Sequence, residues 1–366
     1  MRVLQLIDSL PLAGAEVLVK DIAPRLQERG IECEVAVLRK LNSALESMLE
    51  RAGVPLHSTG VTNLYSPRQV GPLVNLMGHF DIVHVHLFPA QLWAVLAARK
   101  METRIRLVTT EHNTWNARRR LWLRPLDRWM YPHYQLIACN SEATADELVR
   151  WCPGIAEKIR VIPNGIPVED FETAEPADLG LENQDGARLV FVGRFEPQKD
   201  HRTILLALKN LPEVRLLLVG DGPLRRELED LAQSINVRSR VSFLGRRTDV
   251  ANVLKASDIY VHSTNSDGFG IAACEAMAAG LPVIASDVPG LADVVRGAGV
   301  LFPVGDHAAL AREIQELLAS PARRREMSKA SRKRAQSFSI DKTVDGYLAM
   351  YESLCRQERQ SAGVMP

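Results

Sequence analysis

The chain has 366 residues, 46% of them hydrophobic, and a formal net charge of +1. That length and composition suit about two domains with full cores, and the balanced charge gives no ground for a nucleic-acid partner. The cysteines Cys33, Cys139, Cys152, Cys274 and Cys355 have no CxxC spacing, which argues against a disulfide frame or structural zinc and suits reduced thiols in a cytoplasmic protein. The apolar run in MRVLQLIDSL is too short for a signal peptide, and no stretch reaches the roughly 20 apolar residues of a membrane span. The expectation is a soluble protein, at most peripheral on the inner face of a membrane.

In chain order, short apolar runs predict strands at Val3–Ile7, Cys33–Leu38, Ile82–His86, Leu107–Thr110, Gln135–Cys139 and Ile159–Ile162. Helical periodicity fills the gaps, as in Glu16–Arg29 and Gln91–Arg99, and Ser141 is an N-cap for a helix over Glu142–Trp151 that Pro153-Gly154 end. Residues 166–187 are acidic, carry two prolines and lack sustained periodicity, which reads as a linker. The rhythm restarts at Leu189–Val192, Leu216–Val219, Val241–Leu244, Ile259–Val261, Val283–Ala285 and Val300–Phe302. Near-continuous apolar strands alternating with helices predict parallel sheets covered on both faces. The basic tail from Pro321 ends in Val344–Leu354, whose apolar spacing predicts a helix packed back on the first domain. The domain assignment is 1–168 plus 344–366, and 169–343.

Open parallel sheets bind ligands beyond the carboxyl ends of their strands, and the polar residues gather there. In the first half these include Gly14, His84, His86, Glu111, His112 and Asn113. In the second half, Ser266-Asp267-Gly268-Phe269-Gly270 leads into the small-residue helix IAACEAMAAG. Glycines before a helix let backbone N–H groups approach an anion, and the helix dipole favours negative charge there. Glu275, just inside that helix, would be repelled by phosphate and is better placed to accept from sugar hydroxyls, and Asp267 likewise. Gly193-Arg194-Phe195-Glu196-Pro197-Gln198-Lys199 offers two cations for a diphosphate, Arg194 as a fork and Lys199 as a point charge. No Asp-x-Asp, GxSxG or P-loop occurs, and no GxGxxG follows the first strand. A metal-bridged diphosphate and a dinucleotide redox fold are therefore disfavoured.

The blocks SLPLAGAE, VIPNGI, FVGRFEPQKD, LVGDGPLRREL, SFLGRRTDV, SDGFGIAACEAMAAGLPVIASDVPG and QSFSI, in that order, resemble the retaining glycosyltransferases of family 4. The resemblance implies a GT-B fold, with two doubly wound Rossmann-like domains facing a central cleft and a C-terminal helix packing back on the first. It implies transfer from a nucleoside-diphosphate sugar, by family frequency a UDP-sugar, to a saccharide or lipid-linked acceptor in polysaccharide or glycolipid synthesis. No metal or other cofactor is implied.

Carried over residue by residue, Arg194 and Lys199 would hold the diphosphate and stabilise the departing nucleotide. Gly193, Gly268, Phe269, Gly270 and Ile271 would form the cradle, with the Gly270 and Ile271 N–H groups on phosphate or sugar. Glu275 would hold the ribose, Asp267 the transferred sugar, and Arg246 would frame the base. Gly14 would approach the phosphate from the other domain, and His112 would contact the sugar near the reacting carbon. Glu16, His86, Glu111 and Asn113 are the acceptor-side candidates. Two departures stand out: Asp267 replaces the first Glu of the family's Glu-x7-Glu, and Ala13 replaces a loop glycine, which would restrict a turn needing positive φ.

His84, His86, His112 and Glu111 could suggest a metal, but strand-end histidines are more often hydrogen-bonded cleft residues. The stretch ARRRLWLRPLDRWMY, residues 117–131, mixes Arg118, Arg119, Arg120, Arg124 and Arg128 with Trp122, Trp129 and Tyr131. It suits an anionic membrane surface, or else core aromatics with solvated arginines. The basic run 323–334 lacks aromatics and reads as a solvated helix face. The rivals to a transferase are a sugar-nucleotide epimerase, a non-catalytic sugar-nucleotide-binding subunit and, more weakly, a dehydrogenase.

Overall fold

The computed structural model describes residues 1–103, 105–114, 119–180 and 186–362, the last six by backbone alone. The chain divides into two compact units, Met1–Gly165 with Ile340–Pro366, and Ile166–Ser339.

The first unit carries a parallel sheet of β1 (Arg2–Ile7), β2 (Glu32–Val37), β3 (Leu56–Ser58), β4 (Ile82–His86), β5 (Arg106–Glu111), β6 (Leu136–Cys139) and β7 (Ile159–Val161), ordered β3-β2-β1-β4-β5-β6-β7. The inner strands are buried on both faces, which is why they read as apolar runs. The edge strand β3 is short and half exposed, and its sequence LHS carries no apolar run to announce it. Ser141 caps the helix Glu142–Trp151 by accepting from Thr144 N–H at 3.1 Å. The helix Ile340–Ala362 belongs to this unit. Its Val344, Tyr347, Met350, Tyr351 and Leu354 are buried in one apolar cluster with Leu18, Ile22 and Leu26 of the helix Gly14–Glu28.

The second unit has a sheet of β8 (Ala187–Val192), β9 (Val214–Val219), β10 (Val241–Gly245), β11 (Ile259–His262), β12 (Val283–Ser286) and β13 (Val300–Phe302), ordered β10-β9-β8-β11-β12-β13 and again parallel. Both sheets therefore reverse their winding once, between β1 and β4 and between β8 and β11. These switch points are where an open α/β sheet leaves a ligand crevice.

The expected linker is a correction. Residues Val168–Thr173 form a helix whose Val168 and Phe171 are buried in the second unit's core, and Ala177 N–H bonds to Asn252 O at 2.9 Å. Short length hid the helix: one and a half turns show too little periodicity to register. Residues 181–185 of that stretch lie outside the described residues. The division falls a few residues earlier than the assigned boundaries, at 165/166 and 339/340.

Candidate active site

In the second unit, the loops after the adjacent strands β8 and β11 are tied together. Ser263 Oγ donates to Asp200 O at 2.8 Å, Thr264 Oγ1 to Gln198 O at 2.9 Å, and Gln198 Nε2 to Ser266 O at 2.8 Å. Gly193 leaves β8 with its carbonyl against Gly220, where an added Cβ would lie 1.9 Å from that oxygen. Asp200 has φ +33 and caps the helix His201–Leu208, which fixes the turn carrying Lys199.

The centre of this construction is Asp267. Its Oδ2 takes the Lys199 ammonium at 2.5 Å and His262 Nε2 at 3.1 Å. Its Oδ1 accepts the N–H groups of Phe269 at 3.1 Å and Gly270 at 2.9 Å. A carboxylate offers about four acceptor positions, and these four bonds use them. Burial alone would raise its pKa, but the charge of Lys199 and the bonds from His262 and Lys199 outweigh it and hold the group far below the usual carboxylate range. His262 is lowered by burial, partly offset by the bond to Asp267, so the neutral ring donates through Nε2 and faces Tyr260 Oη with Nδ1 at 3.1 Å.

Gly270, at φ +87, turns the chain into the helix Ile271–Ala279. Its own N–H is taken by Asp267, so the donors that remain at this helix start are those of Ile271 and Ala272, which an α-helix leaves unused. The ring of Phe269 packs edge-on against Phe338 at 5.3 Å in the core, so this residue could meet a ligand only through its backbone. Glu275 is half-buried on the second turn. Arg194 is exposed and paired with Glu196 at 3.0 Å. Arg246 is exposed, and its neighbour Arg247 is forked onto Asp249 at 2.7 and 2.5 Å.

In the first unit the polar residues close into a buried network. His86 Nε2 meets Gln5 Oε1 at 2.8 Å and its Nδ1 meets His112 Nε2 at 3.1 Å. Gln5 Nε2 donates to Tyr351 Oη at 3.1 Å, which lies 2.6 Å from His84 Nδ1, and His84 Nε2 lies 2.7 Å from Thr110 Oγ1. Burial pushes His84 down to about 3 and His112 to about 4, and lowers His86 as well, so the three rings are neutral. His112 Nδ1 is buried without a partner, a state that costs about 1–3 kcal/mol until something fills it.

The remaining candidates separate. His86 is fully buried, and Glu111 is nearly so, with Oε1 accepting from Gln91 at 2.7 Å and Tyr131 at 2.5 Å. Both side chains are engaged by partners within the first unit. Asn113 and Gly14 are exposed, and Glu16 is buried in the first turn of the helix Gly14–Glu28. Ala13 sits at φ −147, an extended conformation, so the missing glycine restricts nothing. Both nitrogens of His84 are engaged, and no group of three His, Cys, Asp or Glu among the described residues could hold a metal.

Sequence reasoning missed Gln5, Tyr351 and His262. The first two had a signal: a glutamine inside a buried apolar strand, and tyrosines four apart on the buried face of the last helix.

Two family models match consecutive parts of the chain: Glycosyltransferase Family 4 over residues 12–170 and Glycosyl transferases group 1 over residues 177–334. The chain belongs to glycosyltransferase family 4. It is 26% identical over 391 residues to the N-acetyl-alpha-D-glucosaminyl L-malate synthase of Bacillus anthracis, spanning 95% of this chain and 96% of that one. It is 29% identical to the D-inositol 3-phosphate glycosyltransferase of Segniliparus rotundus, spanning 94% and 85%. Among solved structures, Anabaena HepE in complex with UDP-glucose superposes with a TM-score of 0.84 at 22% identity, over 96% of this chain and 100% of that one. The fold of this glycosyltransferase is GT-B, two Rossmann-like parallel-sheet units wrapped by helices.

Proposed function

We propose that this glycosyltransferase retains anomeric configuration and takes its sugar from a nucleoside diphosphate, UDP in the first instance. The observation that carries the donor class is the tethering of Lys199 by Asp267 beside the free N–H groups of the helix Ile271–Ala279. An ammonium with donors to spare and two unspent backbone N–H groups form a fixed anion site. Arg194, exposed on the same loop, adds a second cation that can turn to a diphosphate. Glu275 takes the ribose hydroxyls, and Arg246 with its loop frames the base. The UDP and UDP-glucose complexes of HepE support the choice of nucleotide.

Chemically, the C1–O–phosphate bond breaks as the acceptor oxygen bonds to C1 from the same face. The acceptor's proton passes to the departing phosphate oxygen. Charge builds on the diphosphate, where Lys199, Arg194 and the helix donors stabilise it without reorganising. Asp267 is not free to act as a glycosyl nucleophile, because all its acceptor positions are used. Its part is to hold Lys199 and the cradle in place. His112 accepts a substrate hydroxyl through its unpartnered Nδ1. Because protein cations carry the neutralisation, turnover persists in EDTA.

The acceptor is a saccharide or a lipid-linked saccharide. A membrane-facing role is favoured by one observation: Leu121 is 79% and Trp122 71% exposed beside exposed Arg120, whereas Tyr131 of the same stretch is buried. Arg118 lies outside the described residues. Trp122→Ala should reduce sedimentation with anionic vesicles, and equal sedimentation would remove the membrane from the account.

The test of the reaction is proton NMR of the product formed from an α-linked UDP-sugar. An α-glycoside is expected, and a β-glycoside would overturn retention.

A further inference from the structure

The hydrogen bonds around His112 form a directed chain. An amide nitrogen can only donate and an amide oxygen can only accept. With Gln5 Nε2 donating to Tyr351 Oη, Gln5 Oε1 is left to accept, so the proton of neutral His86 must be on Nε2. His86 Nδ1 is then a bare lone pair, and the proton between the two rings belongs to His112 Nε2. It follows that His112 Nδ1 is also a lone pair, buried and without a partner.

The chain starts on Tyr351, in the helix Ile340–Ala362, which returns to the first unit after the whole second unit has been threaded. Tyr351 is itself fixed: its ring is fully buried, and its Oη, accepting from Gln5, donates to His84 Nδ1. His84 then donates from Nε2 to Thr110 Oγ1, which neighbours Tyr347 Oη at 3.2 Å. His84 also stacks on His86 with ring centroids 4.4 Å apart, which fixes the plane of the His86 ring.

We propose that Tyr351 and Gln5 are positioning residues that, through His86, fix His112 in its Nε2–H tautomer, so that Nδ1 is presented as an acceptor for a substrate hydroxyl and rejects a phosphate or carboxylate oxygen. This rests on the substrate-contact role of His112 given above. If Gln5 were turned over, both rings would carry their protons on Nδ1, and His112 would present a donor instead. Turning Gln5 over would require Tyr351 to donate to Gln5 Oε1 and His84 to carry its proton on Nδ1, so the Tyr351 hydroxyl ties the orientation of Gln5 to the bond between His84 and Thr110.

The test uses the full chain labelled with 15N-histidine. Two-bond proton–nitrogen spectra at neutral pH distinguish a protonated from a bare ring nitrogen. The expected result is Nε2–H for His86 and His112, and a shift of His112 toward a tautomer mixture in Tyr351→Phe. An Nδ1–H signal for His112 in the native protein overturns the proposal, whatever the activity.

Turnover of UDP-glucose gives the second readout. Tyr351→Phe should lower kcat roughly 10-fold with KM little changed, the scale for losing an outer partner of a functional histidine. In a His112→Ala background it should cost nothing more. Losses that multiply would mean that Tyr351 acts on stability alone, and would sink the positioning role. Should His112→Ala turn over normally while the spectra show Nε2–H, the substrate-contact role falls and the tautomer assignment stands.

Discussion

The two sheets wind in the same way and solve opposite electrostatic problems at their switch points. Around β1, β4 and β5, three neutral histidines, a glutamine and two tyrosines are buried in one network, and the feature left over is a single lone pair. Around β8 and β11, an ammonium tied to a carboxylate lies at the open start of a helix, and the exposed guanidinium of Arg194 follows β8. In the function proposed above, the buried neutral network selects a hydroxyl by hydrogen bonding, while the fixed charge cluster holds a diphosphate. One fold thus carries two kinds of side-chain cluster, and the difference lies in which side chains follow the strands rather than in the strands.

The strongest way to break this comparison is at Asp267. Asp267→Ala leaves Lys199 without its partner and frees two backbone N–H groups. It should cost about 3 kcal/mol of stability in urea unfolding and reduce turnover as well. An unchanged urea midpoint would show that the cluster is not held as described. Lys199→Ala and Arg194→Ala should each lower turnover on the order of 100-fold by removing leaving-group stabilisation. Unchanged turnover in either would remove that residue from the diphosphate site.

Acid should test the buried neutral histidines of both units. His84 titrates at about 3 and His112 at about 4 in the fold, below the 6.5 of an unperturbed histidine, so between those values the unfolded chain binds the additional protons. Stability is therefore fully present above about pH 6.5 and falls as pH drops toward 4, by up to about 1.4 kcal/mol per pH unit for each such histidine. Buried His201, also lowered to about 3, adds the same contribution in the second unit. The Asp267 carboxyl is depressed, so its contribution is present above the unperturbed 3.8 and is lost only below that. Urea midpoints from pH 7 to 4 should fall steadily, and a flat profile would contradict the neutral, buried histidines. The smallest effect expected is at Ser141, where replacement by Ala should cost about 1 kcal/mol through loss of the cap on Thr144 N–H, measured by thermal unfolding.

Most of the architecture was legible because buried parallel strands are apolar throughout, and Ser141 and Gly280 mark helix ends by their own chemistry. What escaped were elements too short to show a period, β3 and the helix Val168–Thr173. The candidate site stood in the sequence as a set of residue types beyond strand ends. Its partnerships were not, because they join residues far apart in sequence: Lys199 with Asp267, and Gln5 with Tyr351. His86 and Glu111 stand out in the sequence as polar residues at strand ends, yet only the fold shows that Gln5 and Gln91 bond to them.

The central claim is that the second unit binds a nucleoside diphosphate through Lys199, Arg194 and the helix Ile271–Ala279. The most direct measurement is thermal stabilisation by UDP, GDP and ADP and their sugar conjugates, with and without EDTA, in the native chain and in Lys199→Ala. A selective rise with UDP that survives the chelator and is lost in the variant is predicted. A folded native protein whose melting temperature no nucleotide raises would contradict the account.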